Sequence, residues 1–369
     1  MPFSDFHGNC ETVTRLRQML ARDRFPHAVI LAGPPGSGKF MLAQMLAKAM
    51  NCLAPLAAPD GLPDFCGHCA NCMRIAEADN LDARFTEAVE AREALRDADK
   101  RETRILVQTH PDVLIIPPDP PQMMIKVDQV RHVIQNIYFR PAEARRRVFI
   151  FSDSAFMKEA ANALLKVLEE PPEFATLFLL ASNPGELLPT IRSRCITMRL
   201  APLPPEEIET LLAKQRPELK PEQRQLVARL CGGGVGRACS FDLPEYVAAR
   251  QDALALLDAA TGASRPTADH SDLFRVTETY RAGAEGKQKM TQLIAAAYGL
   301  LQDLAYLKSE TSDLVRNIDL LPLLKRAAQD IDFEWIARAT QSLSELESGM
   351  RRNPLRSLAL DAFAVGLEK

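Results

Sequence analysis

A glycine-rich loop between a predicted strand and a predicted helix constrains this chain most. The strand candidate covers residues 28–32, the loop reads G-P-P-G-S-G-K-F over residues 33–40, and a helical pattern follows over residues 41–50. In this order the loop turns its backbone N–H groups around phosphates, while the helix N-terminus and the lysine favour negative charge. The residues predicted to line the phosphate site are Gly33, Pro34, Gly36, Ser37, Gly38, Lys39 and Phe40. A plain glycine-rich turn is the alternative interpretation.

A second stretch, over residues 162–195, has an equally strong pattern. Residues 162–172 predict an amphipathic helix, since apolar residues recur at helical spacing until two prolines end it. Residues 176–181 form a short apolar run that is typical of a buried parallel strand. A turn and a short helix then lead to S-R-C at residues 193–195.

Together these two stretches resemble the AAA+ clamp-loader family. The resemblance implies that Arg194 is an arginine finger, a guanidinium projected in trans into the ATP site of the adjacent subunit. It places Asn183 at the sensor-one position and Arg237, in G-V-G-R-A, at the sensor-two position of a helical lid. The alternatives are a solvated arginine, a helix cap and a plain helix start, respectively.

The prospective site lacks the oxygen ligands that Mg²⁺ prefers. Phe40 stands where a Ser or Thr hydroxyl usually holds the ion, and a phenyl ring cannot coordinate a hard cation. Active members of the family end the strand at residues 148–151 with Asp-Glu, whereas this chain has Ser152-Asp153. Asp153 is one methylene shorter than Glu. We therefore expect ATP in the loop, poor Mg²⁺ binding, and weak or absent intrinsic ATP hydrolysis.

Four cysteines predict a metal centre. Cys66, Cys69 and Cys72 follow CxxCxxC spacing, and Cys52 closes the preceding predicted helix. Four thiolates suit a tetrahedral structural Zn²⁺ and leave no open position for catalysis. Free thiols and an iron–sulfur cluster are the alternatives, but the resemblance includes a zinc module here. His68 is expected to face solvent, and the alternative is that it replaces one thiolate as a ligand.

Three further segments carry weaker signals. Residues 74–108 predict one or two solvated helices, inserted relative to the family, with a contact to another protein as the alternative. The proline-rich residues 117–121 predict a rigid, exposed loop. Arg140 and the arginines at 145–147 predict either a solvated turn or a contact with DNA phosphates or a neighbouring subunit.

Composition excludes several classes of protein. A net charge of −3 over 369 residues argues against a globally basic nucleic-acid-binding protein. The N-terminal residues show no signal-peptide pattern, and no apolar run has the length of a membrane span. We expect a cytoplasmic protein without a membrane segment, whose eight cysteines form no disulfides.

We expect an α/β AAA+ domain with a parallel sheet over residues 1–201, including a zinc module at 52–72. A helical lid at 202–245 and an all-α collar at 246–369 follow. The resemblance implies a non-motor subunit of a hetero-pentamer with tau/gamma-type motor subunits and a delta subunit, which loads a sliding clamp on primer-template DNA. The alternatives are a self-sufficient AAA+ ATPase, such as a helicase or recombination motor, and a zinc-stabilised DNA-binding regulator.

Overall fold

The computed structural model describes residues 2–261, 280, 283–350, 360 and 363. The loop predicted at residues 262–266 lies outside these residues. The chain divides into two compact units. The first contains residues up to Pro204 together with Gly233–Arg237, and the second contains Pro205–Gly232 and the described residues from Ala238 onward.

A six-stranded sheet forms the centre of the first unit. Its strands are β1 (Ala28–Ala32), β4 (Val107–His110), β5 (Val113–Ile116), β6 (Arg147–Phe151), β7 (Ala175–Ala181) and β8 (Ile196–Arg199). Their order is β4-β5-β6-β7-β1-β8, and every pair is parallel except β4–β5. β1, β5 and β7 are buried along their whole length, as expected of a parallel sheet covered on both faces. A separate antiparallel ribbon joins β2 (Leu56–Ala57) to β3 (Pro63–Asp64).

Helices cover both faces of this sheet. The helices of the first unit are α1 (Cys10–Ala21), α2 (Lys39–Asn51), α3 (Ala70–Ala76), α4 (Leu81–Glu93), α5 (Asp97–Glu102), α6 (Val127–Ile137), α7 (Lys158–Glu169) and α8 (Pro189–Arg192). Alternate strand residues enter opposite cores, so that Leu31 packs with α1 to α3 while Ile30 packs with α6 and α7.

The parallel strands bring the predicted motifs to one edge. β1, β6 and β7 all end there, and they are followed by Gly33, Ser152 and Ser182. The Gly33 N–H donates to the Ala181 carbonyl oxygen at 3.1 Å, which joins the glycine loop to the neighbouring strand. The carboxyl edge of a parallel sheet is where α/β proteins bind ligands.

The described part of the second unit is helical. Its helices are α9 (Pro205–Gln215), α10 (Pro221–Leu230), α12 (Leu243–Thr261), α13 (Gly283–Lys308), α14 (Leu321–Asp330) and α15 (Phe333–Met350). The short α11 (Val235–Cys239) belongs to the first unit up to Arg237 and to the second from Ala238. The apolar core of α12 to α15 includes the fully buried Trp335. The predicted fold class, a parallel α/β domain followed by helices, is confirmed. The division of the helical part into lid and collar stays a prediction.

Among the described helices, none combines the length and the apolar character that crossing a membrane requires.

Candidate nucleotide site, arginine segment and metal centre

The lysine of the glycine loop bonds to the loop itself. Lys39 Nζ donates to the carbonyl oxygens of Gly33 and Pro34, at 2.6 and 2.9 Å. Burial lowers the pKa of Lys39, and the nearby carboxylates of Glu186 and Asp153 partly oppose that effect. A phosphate bound here would therefore compete with two carbonyl oxygens for the ammonium group.

Glycines let other backbone segments approach the loop closely. The Gly236 N–H donates to the Gly36 carbonyl oxygen at 2.8 Å, and a Cβ on Gly36 would lie 2.5 Å from the Arg237 nitrogen. A Cβ on Gly38 would lie 2.8 Å from the Phe6 ring. Arg237 is exposed, and its backbone and Cβ are the atoms that approach the loop.

The loop retains groups that fit a phosphate. The Ser37 hydroxyl is buried and has no hydrogen-bond partner within the described structure. The loop leads into α2, whose first-turn N–H groups have no acceptors within the helix. These donors fit an anion, so the residues present fit the phosphates of a nucleotide.

An open cavity of about 720 Å³ lies beside the loop. Lys39, Ser152 and Asp153 line it, together with Glu186, which sequence reasoning missed. The Glu186 carboxylate accepts hydrogen bonds from the Ser154 hydroxyl and from the Ser182 N–H. The Asp153 carboxylate accepts the Ala155 N–H at 2.8 Å.

Of the ten residues predicted to bind nucleotide, Lys39 and Asp153 line this cavity, and the other eight, Phe40 and Asn183 among them, do not. Phe40 is partly buried and packs against the core on the α1–α2 face of the sheet. The Asn183 side-chain oxygen accepts the Gly185 N–H at 2.9 Å and begins a short 3₁₀ turn, as the helix-cap alternative describes. The structure therefore brings Lys39, Ser152 and Asp153 together but directs Phe40 and Asn183 elsewhere.

Three hydrogen bonds hold the Arg194 side chain, and the longest runs 3.5 Å from Nη1 to the Ser193 hydroxyl oxygen. One guanidinium nitrogen, Nη1, donates to the Thr190 carbonyl oxygen at 2.9 Å, and Nη2 donates to Glu169 Oε1 at 2.5 Å. Glu169 is the last residue of α7, just before the predicted double-proline stop. The Arg194 side chain is 34% exposed, so the guanidinium is fixed on one side and reaches solvent on the other.

The four predicted cysteines converge. The sulfurs of Cys52, Cys66, Cys69 and Cys72 all lie within 4.8 Å of one another. Cys52 Sγ is 3.5 Å from Cys66 Sγ and 4.0 Å from Cys69 Sγ. Tetrahedral Zn–S bonds of about 2.3 Å place sulfurs about 3.8 Å apart, so these four fit one metal ion. His68 is exposed, and its Nδ1 lies 2.9 Å from the Cys66 carbonyl oxygen, as predicted for a residue outside the site.

Three of these thiols have shifted pKa values. Burial raises the pKa of Cys72 and of Cys52. Burial also acts on Cys69, but the backbone N–H groups of Cys72 and Leu53 and the adjacent thiols outweigh it and lower the pKa of Cys69 to about 6. A cation at the centre would displace the remaining protons, as thiolate ligation requires.

The proline-rich loop at residues 117–121 is not wholly exposed, so that expectation was wrong. Its Asp119 is fully buried and pairs with Arg92 of the insertion at 2.7 Å and with Lys126 at 2.8 Å. The insertion forms two mostly exposed helices, α4 and α5, as predicted, and Arg92 anchors the first of them to the loop. The spacing of 27 residues between Arg92 and Asp119 gave no local signal of this pair.

The arginines at 145–147 make structural contacts. Arg145 donates to the Cys52 carbonyl oxygen, Arg146 pairs with Asp23, and Arg147 donates to the Asn136 carbonyl oxygen. These contacts favour the interpretation that the cluster shapes the turn before β6.

The buried Asp112 holds residues 142–144, which come just before these arginines, in place. Its carboxylate accepts the backbone N–H groups of Ala142, Glu143 and Ala144, each at 2.8 Å. Burial alone would raise the pKa of Asp112, but these three donors outweigh it and lower that pKa.

A glycine loop at the carboxyl edge of a parallel sheet, in a chain that continues into helices, is the arrangement of an AAA+ nucleotide-binding protein. A family model described as "DNA polymerase III, delta subunit" matches residues 8–204, which is more than half of the chain. The chain therefore belongs to this family of clamp-loader proteins.

Individual relatives agree with this assignment. DNA polymerase III subunit delta′ of Pseudomonas aeruginosa is 31% identical over 218 residues, which cover 58% of this chain and 56% of that protein. The delta′ subunit of Bacillus subtilis is 31% identical over 216 residues, covering 58% and 54%. Subunit tau of Escherichia coli is 30% identical over 244 residues, covering 65% of this chain and 32% of the relative. The matches thus span about a third to just over half of these relatives.

Among solved structures, a gamma subunit-related protein of Thermotoga maritima aligns over 96% of this chain and 98% of that chain, with 16% identity and a TM-score of 0.42.

Proposed function

We propose that this chain is a delta-prime-type subunit of the bacterial replicative clamp loader and that Arg194 completes the ATP site of a neighbouring subunit. The observation that carries the proposal is the way Arg194 is held. Glu169, the Thr190 carbonyl oxygen and the Ser193 hydroxyl oxygen each take one guanidinium N–H group. A guanidinium carries five N–H donors, so the remaining ones are free to pair with phosphate oxygens of another chain.

In this proposal the nucleotide site at the chain's own glycine loop hydrolyses ATP poorly. Phe40 packs into the core, and Ser152 offers a hydroxyl where a carboxylate would hold the metal. Phosphoryl transfer depends on positioning and on neutralising the charge that develops on the phosphates. The Lys39 ammonium group already bonds to two carbonyl oxygens, and it has no lone pair with which to replace the missing metal ligands. The loop binds ATP without efficient hydrolysis.

The proposed assembly is a cytoplasmic hetero-pentamer with tau/gamma-type motor subunits and a delta subunit. It uses ATP to place the sliding clamp on primer-template DNA. The similarity to subunits tau and delta′ of DNA polymerase III supports this composition.

The metal proposed for the four cysteines is Zn²⁺ with a structural role. Four sulfurs leave no open coordination position, so the ion stabilises the segment between α2 and α3 rather than activating a water molecule.

Steady-state ATP turnover tests the non-motor role. We expect the isolated chain to hydrolyse ATP no faster than its Lys39→Ala variant. A reconstituted loader containing the Lys39→Ala chain should retain turnover within about twofold of the wild-type assembly, because its motors lie in other subunits. Turnover by the isolated wild-type chain that Lys39→Ala abolishes would show instead that the chain is a self-sufficient ATPase.

A further inference from the structure

A second cavity, of about 470 Å³, lies against the outer edge of the six-stranded sheet. Three arginines line it, and each comes from a different element: Arg15 from α1, Arg192 from α8 and Arg199 from β8. This cavity shares no lining residue with the one beside the glycine loop.

Hydrogen bonds fix the elements that bring these arginines together. The Asn9 side chain accepts the Ala201 N–H at 2.7 Å and donates to the Ala201 carbonyl oxygen at 3.1 Å. One turn into α1, the Thr12 hydroxyl donates to the Arg199 carbonyl oxygen at 3.0 Å. Arg15 follows Thr12 by three residues and therefore lies on the same helix face, over β8.

The three guanidinium groups are available to a ligand. All three arginines are exposed, and across residues 2–261 and the other described positions the structure gives their side chains no hydrogen bond or ion pair. Nearby arginines behave differently: Arg17 is buried and pairs with Asp60, while Arg194 pairs with Glu169.

The charge around the cavity favours an anion with several negative groups. Three arginines and one acid, Glu11, line it and leave a net charge of about +2. One guanidinium group can donate two parallel hydrogen bonds to two oxygens of a phosphate. The exposed Thr197 hydroxyl, on the same face of β8 as Arg199, adds a further polar group. A volume of 470 Å³ lies within the range of small-molecule pockets and exceeds what a single phosphate needs.

We propose that this cavity binds an oligophosphate, a run of neighbouring phosphate groups. The run belongs either to a single-stranded nucleic-acid backbone or to a free polyphosphate chain. Arg194 does not line this cavity, so phosphate binding here is independent of the role proposed for Arg194.

Calorimetric titration of the full chain with inorganic tripolyphosphate tests the site. All variants carry Lys39→Ala, which removes the lysine of the glycine loop and so suppresses binding there. We expect Arg15→Ala/Arg199→Ala to weaken tripolyphosphate binding by tenfold or more. The matched control, Arg22→Ala/Arg96→Ala, removes the same charge at exposed positions outside the cavity and should change the affinity less than twofold.

A variant that is expected to tighten tripolyphosphate binding, rather than weaken it, sharpens the test. Glu11→Gln removes the only acid of the lining and should tighten tripolyphosphate binding by about two- to threefold, since it raises the net positive charge of the cavity. Equal weakening by the two double variants, no tripolyphosphate binding at all, or weaker binding by Glu11→Gln would each overturn the proposal.

A parallel titration with a 20-nucleotide oligo-dT, read by fluorescence anisotropy, identifies the source of the phosphates. Each contact with a single-stranded phosphate contributes about 0.7 to the slope of log K against log salt concentration. If the ligand is a nucleic-acid backbone, Arg15→Ala/Arg199→Ala should lower that slope by about 1.4 relative to the control. An unchanged slope, with tripolyphosphate binding still lost, assigns the cavity to free polyphosphate.

Discussion

Two arginine–carboxylate pairs in the first unit have similar lengths but different surroundings. The Arg92–Asp119 pair is 2.7 Å long, and its side chains are 9% and 1% exposed. The Arg194–Glu169 pair is 2.5 Å long, and its side chains are 34% and 51% exposed. Arg92–Asp119, the inner pair, joins the insertion to a proline-rich loop. Arg194–Glu169, the outer pair, holds the arginine of the S-R-C segment.

The inner pair has the surroundings of a structural contact, whereas the outer pair has the exposure that the proposed role of Arg194 requires. Asp119 also accepts hydrogen bonds from Lys126 and from the Ile105 N–H, so its buried charge is fully compensated and the removal of any partner is costly. The outer pair is screened by water and contributes little to stability. It leaves guanidinium donors of Arg194 free, so this pair can hold an arginine ready for another molecule.

The largest expected effect is on stability at the inner pair. Asp119→Ala should lower the free energy of unfolding by about 3–5 kcal/mol, because Arg92 and Lys126 lose a buried counter-charge. Urea denaturation measures this value. Asp97→Ala, at a side chain that is 96% exposed in the same insertion, is the control and should change it by less than about 0.5 kcal/mol. A loss below 1 kcal/mol for Asp119→Ala would remove the distinction between the two pairs.

The pH dependence of stability sharpens the same comparison. Burial would raise the pKa of Asp119, but Lys126 and Arg92 outweigh it and hold that pKa below its ordinary value. The stabilisation is therefore present above the unfolded-state pKa of about 3.9 and is lost as the pH falls through the folded-state value.

Unfolding of the wild-type chain and of Asp119→Asn should accordingly be compared from pH 7 to pH 3. We expect a constant difference in the free energy of unfolding between pH 7 and pH 5, and a smaller difference below about pH 4. A difference that is unchanged at pH 3 would contradict the assignment of an ionised Asp119.

The smallest expected effect is at the outer pair. Glu169→Gln keeps an acceptor for Arg194 but removes its charge, so stability should change by less than about 1 kcal/mol. Because the Arg194 guanidinium is held less firmly, ATP hydrolysis at the neighbouring subunit's site should slow about three- to tenfold. This slowing corresponds to a rise of about 0.7–1.4 kcal/mol in the activation free energy.

Single-turnover ATP hydrolysis by reconstituted loaders measures this slowing. Glu170→Gln, at the adjacent exposed residue, is the matched control, and Glu169→Asp should restore part of the rate. If both Gln variants slow hydrolysis equally, Glu169 has no positioning role for Arg194.

The sequence predicted the features that local order determines. The strand, glycine loop and helix around Lys39, the CxxCxxC spacing and the helix with its double-proline stop all depend on neighbouring residues, and the structure forms each of them. The parallel sheet then brought Ser152 and Asp153 beside Lys39, as the order of the motifs implied.

The side chains that surround these motifs could not be predicted. Glu186 lies 32 residues from Ser154, and Glu169 lies 25 residues from Arg194, so only the folded packing brings each pair together. Asp119 was expected in an exposed loop, since a run of prolines gives no sign that a distant Arg92 will cover it. Long-range charge pairing of this kind has no periodicity that a single sequence displays.

Arg194 is the centre of the account, and its removal is the most direct test. In a reconstituted loader with clamp and primed DNA, Arg194→Ala should slow single-turnover hydrolysis at one ATP site by about a thousandfold or more, which is the loss expected when an arginine finger is removed. The pentamer should remain intact, because the outer pair adds little stability. The exposed Arg96→Ala variant serves as the control. Unchanged rates in an intact Arg194→Ala assembly would contradict the proposal that this chain completes its neighbour's active site.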